Sequence, residues 1–416
     1  MKLAVIGGGS TYTPELADGI GRLLPQVEEM VLVDPDPDRL AVVGPVSARI
    51  MAAHDHPAQV RWTESLDEGA EGADAILFQL RIGGQAARQR DETWPLDCGC
   101  VGQETTGAGG LAKALRTVPV VLDLAERASR RASPSAFIID FTNPVGIVTR
   151  ALLTAGHRAV GLCNVAIGFQ REFASLLDVG PARLSLGHVG LNHLSWERSV
   201  LLDGVDVLPE LLGKFADDIA PHTGMPADFI RHLGMVPSSY LRYYYAHDAV
   251  VESLRGTTTR AEAVARLEAE LLELYADPAL DTKPPQLAQR GGAWYSEAAV
   301  DLLVSLTRDL RDVQVVNTFN RGTLPFLPDY AVIEGPAVIG SGGADPVPAD
   351  PVEPLLRGLI AHVYAYEELA LDAALRGGRD RVYDALLAHP LVGQADKAQC
   401  LTDRLIAENA RYLPWA

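Results

Sequence analysis

The chain opens with Lys2-Leu-Ala-Val-Ile-Gly-Gly-Gly-Ser-Thr-Tyr-Thr-Pro, a short apolar run that passes through three glycines into a helical stretch, Pro14–Leu24. Few folds accommodate this order. Glycine lets the backbone turn tightly after a strand, and it leaves room for a pyrophosphate at the helix N-terminus, where unpaired N–H groups attract anions. Asp34 closes a second apolar run, Glu29–Val33, twenty-five positions after Gly9. An acid there can bind ribose hydroxyls and would repel a 2′-phosphate, so NAD is favoured over NADP. Gly7, Gly9, Ser10, Thr11, Tyr12 and Asp34 are the candidate cofactor-binding residues. Tyr12 stands where the usual fingerprint has its third glycine. The alternative reading is a plain strand-to-helix turn of a flavodoxin-like domain.

Short apolar runs at Ala75–Phe78, Ala136–Ile139 and Ala159–Leu162 continue the alternation, with a long helix expected over Leu111–Arg131. This pattern predicts a doubly wound parallel sheet of Rossmann type. Beyond about residue 165 longer helical segments take over, at Arg260–Tyr275, Ser296–Leu310, Pro354–Ala374, Arg379–Leu387 and Ala395–Glu408. Short strands are expected near Leu184–Val189, Val313–Asn317 and Tyr330–Ile333. Two domains are expected: residues 1–165 for the dinucleotide, and residues 166–416 as a mostly helical α+β domain for substrate, metal and oligomer contacts. The whole is an α/β fold like lactate or malate dehydrogenase.

A net charge of −18 argues against nucleic acid or an anionic membrane as partner, so a phosphorylated ligand must find positive groups inside a site. There is no membrane-length apolar run, and the opening lacks the pattern of a secretory leader, so a cytoplasmic location is expected. The four cysteines, Cys98, Cys100, Cys163 and Cys400, have neither the density nor the context of a disulfide framework.

Three polar loops follow strands: Phe78-Gln-Leu-Arg-Ile-Gly-Gly with Arg81, the glycine-dense loop Gly102-Gln-Glu-Thr-Thr-Gly-Ala-Gly-Gly, and Phe141-Thr-Asn-Pro with Asn143. Ligands of open α/β sheets bind at the carboxyl ends of strands, so three such loops point to one shared site. Gly161-Leu-Cys-Asn-Val and Gly190-Leu-Asn-His-Leu-Ser-Trp add Cys163, Asn164 and His193. A thiolate and an imidazole with open positions suit a divalent transition metal, whereas two packed core side chains are the simpler reading. Arg260 opens a helix whose dipole prefers an acid there, so an anion beside it would relieve the conflict; a solvated arginine is the alternative. Tyr240-Leu-Arg-Tyr-Tyr-Tyr reads by default as core packing.

Taken together, the opening motif, Gln103-Glu-Thr-Thr-Gly, Thr142-Asn-Pro, Leu162-Cys-Asn-Val and Leu191-Asn-His-Leu-Ser resemble glycoside hydrolase family 4, nearest its 6-phospho-β-glucosidase branch. The likeness continues through Arg290-Gly-Gly and Val316-Asn-Thr to Leu327-Pro-Asp. This resemblance implies a mechanism outside two-carboxylate glycoside hydrolysis. The sugar is oxidised at C3 by NAD and loses its C2 proton to a base. It then expels the aglycone from C1, takes up water and is reduced again. By the same resemblance Cys163 and His193 hold a divalent metal, Mn²⁺ by preference, and Tyr240 is the C2 base. Arg260 grips the 6-phosphate, and Arg81, Asn143 and Asn164 contact substrate. Asn164 resembles the β-phosphoglucosidase branch, where α-glucosidases carry Asp and α-galactosidases His. Ala166 and Phe326 depart from the branch, which has Pro and Asn there. The implied substrate is a phosphorylated disaccharide or aryl glucoside, such as cellobiose 6-phosphate, and the implied assembly a homodimer or homotetramer. Two other readings compete: an NAD-dependent 2-hydroxy-acid dehydrogenase, which leaves Cys163 without a role, and a non-catalytic NAD or sugar-phosphate binder.

Overall fold

The computed structural model describes residues 1–24, 26–291 and 294–416. Six strands lie parallel: β1 (Lys2–Ile6), β2 (Glu29–Val33), β3 (Gln59–Thr63), β4 (Ala75–Phe78), β5 (Phe137–Asp140) and β6 (Ala159–Gly161). Their spatial order, β3-β2-β1-β4-β5-β6, is that of the doubly wound dinucleotide-binding sheet. The expected Rossmann architecture is therefore present. Among the described residues, no helix is long and apolar enough to cross a membrane.

Alternation along the strands sorts side chains onto two cores. Ala4, Ile6, Ile76 and Phe78 face one hydrophobic cluster, with the helices Gly107–Arg131 and Pro354–Arg376. Leu3, Val5 and Leu77 face the other, with the helices Thr13–Leu23 and Tyr295–Arg308. Each fully buried aliphatic side chain contributes about 1.5–3 kcal/mol, so this double burial, more than local propensity, holds the short strands in place.

The same sheet continues antiparallel through β7 (Leu184–Leu191), β8 (Leu194–Leu202), β9 (Val205–Asp206), β10 (Val236–Pro237), β11 (Asp312–Phe319), β12 (Val332–Gly340) and β13 (Gly343–Pro346). The joint between the two halves is narrow. A single pair, Asn317 with Gly161, links β11 to β6.

Two local expectations need correction. The glycine-dense stretch is not all loop, since the helix expected from Leu111 already begins at Gly107. Its glycines are there because the first turn folds onto its own approach: a Cβ on Gly109 would lie 2.2 Å from the Gln103 carbonyl oxygen, and one on Gly110 2.6 Å from the Thr105 carbonyl carbon. The cysteines also cross-link once. Cys98, at the end of the helix Gly84–Asp97, is bonded to Cys400 in the helix Ala395–Asn409, across 302 residues of sequence. No spacing rule reaches that far. Only the packing of the two helices brings the thiols together.

Candidate active site

Four strand ends of the parallel half deliver the site. After β1 the chain turns at Gly7, whose φ of +88° suits glycine. A Cβ on Gly9 would lie 2.9 Å from the Asp34 carboxyl carbon, so only glycine lets the turn close on that acid. Asp34 accepts a hydrogen bond from the Gly9 amide at 3.0 Å, and Arg39 Nε donates to the Gly9 carbonyl at 2.8 Å. Gln79, after β4, donates to the Gly7 carbonyl and to Thr13 Oγ1. After β5, Thr142 Oγ1 accepts from the Leu80 amide. These bonds tie neighbouring loops into one rim.

Against the rim lies a cavity of about 540 Å³, lined by Ser10, Tyr12, Arg81, Asn143, Cys163, Asn164, His193, Tyr240 and Arg260 among others. Nine of the thirteen candidate residues thus share one cavity. Gly7, Gly9 and Asp34 form the adjoining turn. Thr11 does not line the cavity: the residue is buried, its hydroxyl donates to Glu268 at 3.4 Å and its carbonyl accepts from Tyr275 Oη at 2.8 Å.

His193 sits in the two-residue loop between β7 and β8, with a φ of +62° that a non-glycine residue seldom adopts. Its Nδ1 lies 2.9 Å from Thr105 Oγ1, which in turn donates to Gln103 Oε1 at 2.9 Å. With the threonine proton spent on Gln103, the imidazole must donate from Nδ1, which leaves Nε2 bare as a ligand atom. Burial pushes the His193 pKa down to about 4, against the opposing pull of Glu334, so the ring is neutral at pH 7. The ring stacks on Tyr240, centroids 3.7 Å apart.

Cys163 follows β6 at the start of the helix Val165–Leu176. The backbone amides of Val165 and Asn164 and the Asn192 side chain near its sulfur favour the thiolate. Burial and the Glu334 carboxylate nonetheless push the thiol pKa up, so the sulfur needs a nearby cation to ionise. Glu334 is itself anchored by Asn192 Nδ2 at 2.7 Å and by His188, which bridges Glu334 and Glu197 in a buried triad.

Sequence reasoning singled out neither this triad nor the ion cluster around Glu104. Burial would raise that carboxyl, but Arg81, Lys113 and Arg88 outweigh it and hold its pKa well below the usual range. Lys113 Nζ lies 2.6 Å and Arg88 Nε 3.1 Å from Glu104, and Arg81 pairs with it as well. Glu104 belongs to the Gln103-Glu-Thr-Thr-Gly motif, but Lys113 stands within a helix where nothing in the sequence marks it. Arg81 is therefore committed to a carboxylate as well as facing the cavity. Among the described residues the lining carries six basic side chains, Arg81, Arg88, Lys113, Arg242, Arg260 and Arg290, against the two carboxylates Glu92 and Glu104. Burial lowers the Lys113 pKa to about 7, so the five arginines carry most of the positive charge. This is a positive pocket in a protein of net charge −18.

Arg260 takes the first position of the helix Arg260–Tyr275, after a Thr259–Glu262 capping box. Its Nη2 donates to the Gln289 carbonyl at 2.8 Å. Asn143 Oδ1 is buried with no hydrogen-bond partner among the described residues. Such an atom calls for a ligand or water. The Gly292 of the expected Arg290-Gly-Gly motif lies outside the described residues.

Residues 2–179 match the family 4 glycosyl hydrolases, and residues 188–392 match the C-terminal domain of the same family. The chain belongs to family 4 of the glycosyl hydrolases. A probable 6-phospho-β-glucosidase of Bacillus subtilis is 37% identical, the alignment covering 100% of this chain and 97% of that one. The 6-phospho-β-glucosidase of Escherichia coli is 34% identical over 100% of this chain and 96% of its own. A Thermotoga maritima 6-phospho-β-glucosidase solved with manganese, NAD⁺ and glucose 6-phosphate superposes at a TM-score of 0.93, with 31% identity and 99% of both chains covered. A malate dehydrogenase of Aeropyrum pernix, 14% identical at a TM-score of 0.55, shares the fold alone.

Proposed function

We propose that this family 4 member hydrolyses 6-phospho-β-glucosides, using NAD as a recycled oxidant and a divalent cation, Mn²⁺ as in the Thermotoga maritima enzyme. The observation that carries this reading is the cationic cavity of an acidic protein, opening beside a glycine turn closed by Asp34. The residues fit both groups. The Gly7–Gly9 turn needs glycine at each position, since a Cβ there would lie within 3 Å of Gln79, Leu32 or Asp34. Such a turn between a strand and a helix suits a pyrophosphate, and Cys163 with His193 Nε2 offers a soft sulfur and a neutral nitrogen to a cation. When bound, NAD supplies a hydride acceptor for C3 that later returns the hydride, and the cation supplies Lewis acidity toward O2 and O3.

The remaining work falls to side chains of this chain. Arg260, with Arg242 on the same cavity wall, grips the 6-phosphate through charge-assisted bonds. Asn143 offers its unpaired amide oxygen to a sugar hydroxyl. Tyr240 takes the C2 proton. Burial raises its pKa well above that of an ordinary phenol, so it acts as a base only with positive charge beside it; Arg88 is one such charge. Loss of the C2 proton lets the C1–O bond break by elimination, and water then adds at C1. Asn164, the residue beside Cys163, supports the β-glucoside branch. The proposal includes a cytoplasmic enzyme and a homodimer or homotetramer.

The test is hydrolysis of an aryl 6-phospho-β-glucoside at substoichiometric NAD, with Mn²⁺ added or withheld. Many turnovers per NAD with no net NADH are expected. One product per NAD, with NADH accumulating to match, would replace the proposal with a dehydrogenase.

A further inference from the structure

Three of the four cysteines meet at one place outside the cavity. Cys98 is bonded to Cys400, and both residues are half-buried, so the disulfide reaches the surface. Cys100 is free and buried, in the same hydrophobic cluster as Ala398 and Leu401 of the C-terminal helix Ala395–Asn409. Burial raises its thiol pKa, so Cys100 stays protonated and leaves a single pairing open to exchange. Cys163 is a separate thiol, on the cavity wall.

The two bonded helices run antiparallel: Cys98 meets Cys400, Asp97 pairs with Arg404, and Arg90 pairs with Glu408. The helix Gly84–Asp97 builds much of the site. Arg88 and Glu92 line the cavity from it, and Glu92 accepts from the Ala261 amide at 2.8 Å, which supports the start of the Arg260 helix. Gln89 adds a bond to Glu262 at 2.7 Å. Beyond Cys98 the chain runs directly into Gly102, Gln103 and Glu104 on the cavity wall, then to Thr105 against His193. The two ends of the helix pair are held differently. At the far end the buried Arg116 joins Asp91 to Asn409. At the cysteine end the Asp97–Arg404 pair is largely exposed and holds little. The disulfide is thus the strong tie at the end where the site loop begins.

Disulfides in a reducing cytoplasm are usually transient, serving catalysis or redox sensing. We infer that Cys98 and Cys400 form a redox site, at which a dithiol protein of the thioredoxin class opens the bond, loosens the Cys98 end of the helix pair and weakens the grip on the phosphorylated sugar. A thiolate of the reductant attacks one sulfur, forming a mixed disulfide and releasing the other cysteine. The second thiol of the reductant then attacks the mixed disulfide. Two electrons and two protons pass to the protein, which gains the Cys98 and Cys400 thiols, and the reductant leaves as a disulfide. The effect on substrate rests on the proposed cytoplasmic phosphoglucosidase activity, whereas the opening of the bond does not.

The experiment treats the full-length parent, Cys400→Ser and Cys100→Ser with reduced thioredoxin or with oxidised glutathione. Thiols are identified by maleimide labelling and peptide mass spectrometry, hydrogen–deuterium exchange is followed over residues 84–105, and KM is measured for cellobiose 6-phosphate. In the parent, Cys98 and Cys400 should open and close reversibly while the fold persists. Opening should speed exchange by about tenfold or more, most strongly over residues 96–105, as expected for a local loss of restraint. KM should rise by roughly three- to tenfold with kcat changing less, the mark of weakened binding. Cys400→Ser should match the reduced parent in both treatments, and Cys100→Ser should respond as the parent does. A bond that thioredoxin cannot open in the folded enzyme, or opening that leaves either exchange or KM unchanged, would overturn the inference. So would a response that persists in Cys400→Ser, which would belong to Cys163, or one that is lost in Cys100→Ser. If the oxidised parent cleaves no phosphoglucoside, the phosphoglucosidase reading falls, and labelling with exchange still decides the redox site.

Discussion

The His193 imidazole and the Tyr240 phenol lie face to face, their centroids 3.7 Å apart and their planes 6° from parallel. The proposed metal ligand and the proposed base are thus held as one unit, and neither ring can rotate without displacing the other. Cys163 completes the group, for it bears directly on the ionisation of Tyr240. A cation held by Cys163 and His193 would sit beside the phenol whose pKa burial has raised. Positive charge there would favour the phenolate that C2 deprotonation requires.

Tyr240→Phe should keep this stack and delete the ionisable oxygen. Net cleavage, and exchange of the substrate C2 hydrogen with deuterated water, should both fall by about 10²–10⁴-fold, the usual worth of a general base. NAD and substrate binding should persist. Undiminished exchange in Tyr240→Phe with a collapse in Tyr243→Phe would move the base to that neighbour.

Thr105→Val should weaken Mn²⁺ binding. The threonine hydroxyl accepts a hydrogen bond from the protonated Nδ1 of His193 at 2.9 Å and donates its own to Gln103, so valine removes what fixes the tautomer. Losing such a partner typically costs about 10–100-fold in metal affinity. Titration of free Mn²⁺ by electron paramagnetic resonance would measure it, with Thr105→Ser close to the parent. Equal affinity in all three proteins would show that the hydrogen bond does not orient the ligand.

The parts of this molecule that repeat along the chain were legible, and the parts made by distant contacts were not. Glu29–Val33 and Ala75–Phe78 read as strands because both faces are buried, which leaves an unbroken apolar run. The edge strand Gln59–Thr63 carries no legible signal, since four of its five residues are polar or largely exposed and no period marks it. Arg260–Tyr275 was bounded correctly because Thr259 is a helix cap and an apolar stripe follows. In the site, Cys163, His193 and Tyr240 drew attention through motif likeness. Glu104 with its three cations, and His188 between two glutamates, are buried charges whose partners lie 9 to 146 residues away. A charged residue in a sequence looks like surface until its partners are placed.

The His188 triad sets a pH dependence of stability. Burial opposes protonation of His188, but Glu197 and Glu334 outweigh it and raise its pKa to about 10. The unfolded imidazole titrates near ~6.5, so the native state alone holds the proton between these values. The stabilisation is full below the lower pKa and is lost as pH climbs toward the upper one, at about 1.4 kcal/mol per pH unit. Urea unfolding at pH 6, 8 and 9.5 should show this decline. In His188→Gln the slope should flatten, and stability at pH 6 should fall by about 3 kcal/mol or more, because two buried carboxylates lose their counter-charge. A parent protein equally stable at pH 6 and 9.5 would mean that His188 is neutral.

Arg260 offers the sharpest separation of binding from folding. It stands at the first position of its helix, where the dipole disfavours a cation, so the side chain contributes little to helix stability. The Thr259–Glu262 capping box secures that helix end without it. One guanidinium nitrogen is spent on the Gln289 carbonyl, and the rest of the fork faces a cavity with a marked excess of positive charge. Arg260→Ala should therefore leave the thermal midpoint within a degree or two while raising KM for phosphorylated glucosides. A charge-assisted bidentate contact is worth about 1.5–3 kcal/mol, so the advantage of phosphorylated over plain glucosides should shrink roughly ten- to hundredfold. Arg260→Lys should recover only part of the loss, since a point charge cannot reproduce the planar fork. If Arg260→Ala weakens both substrate types equally, or melts early, the residue is a structural element of the helix start and the phosphate must be held by the other cations of the cavity.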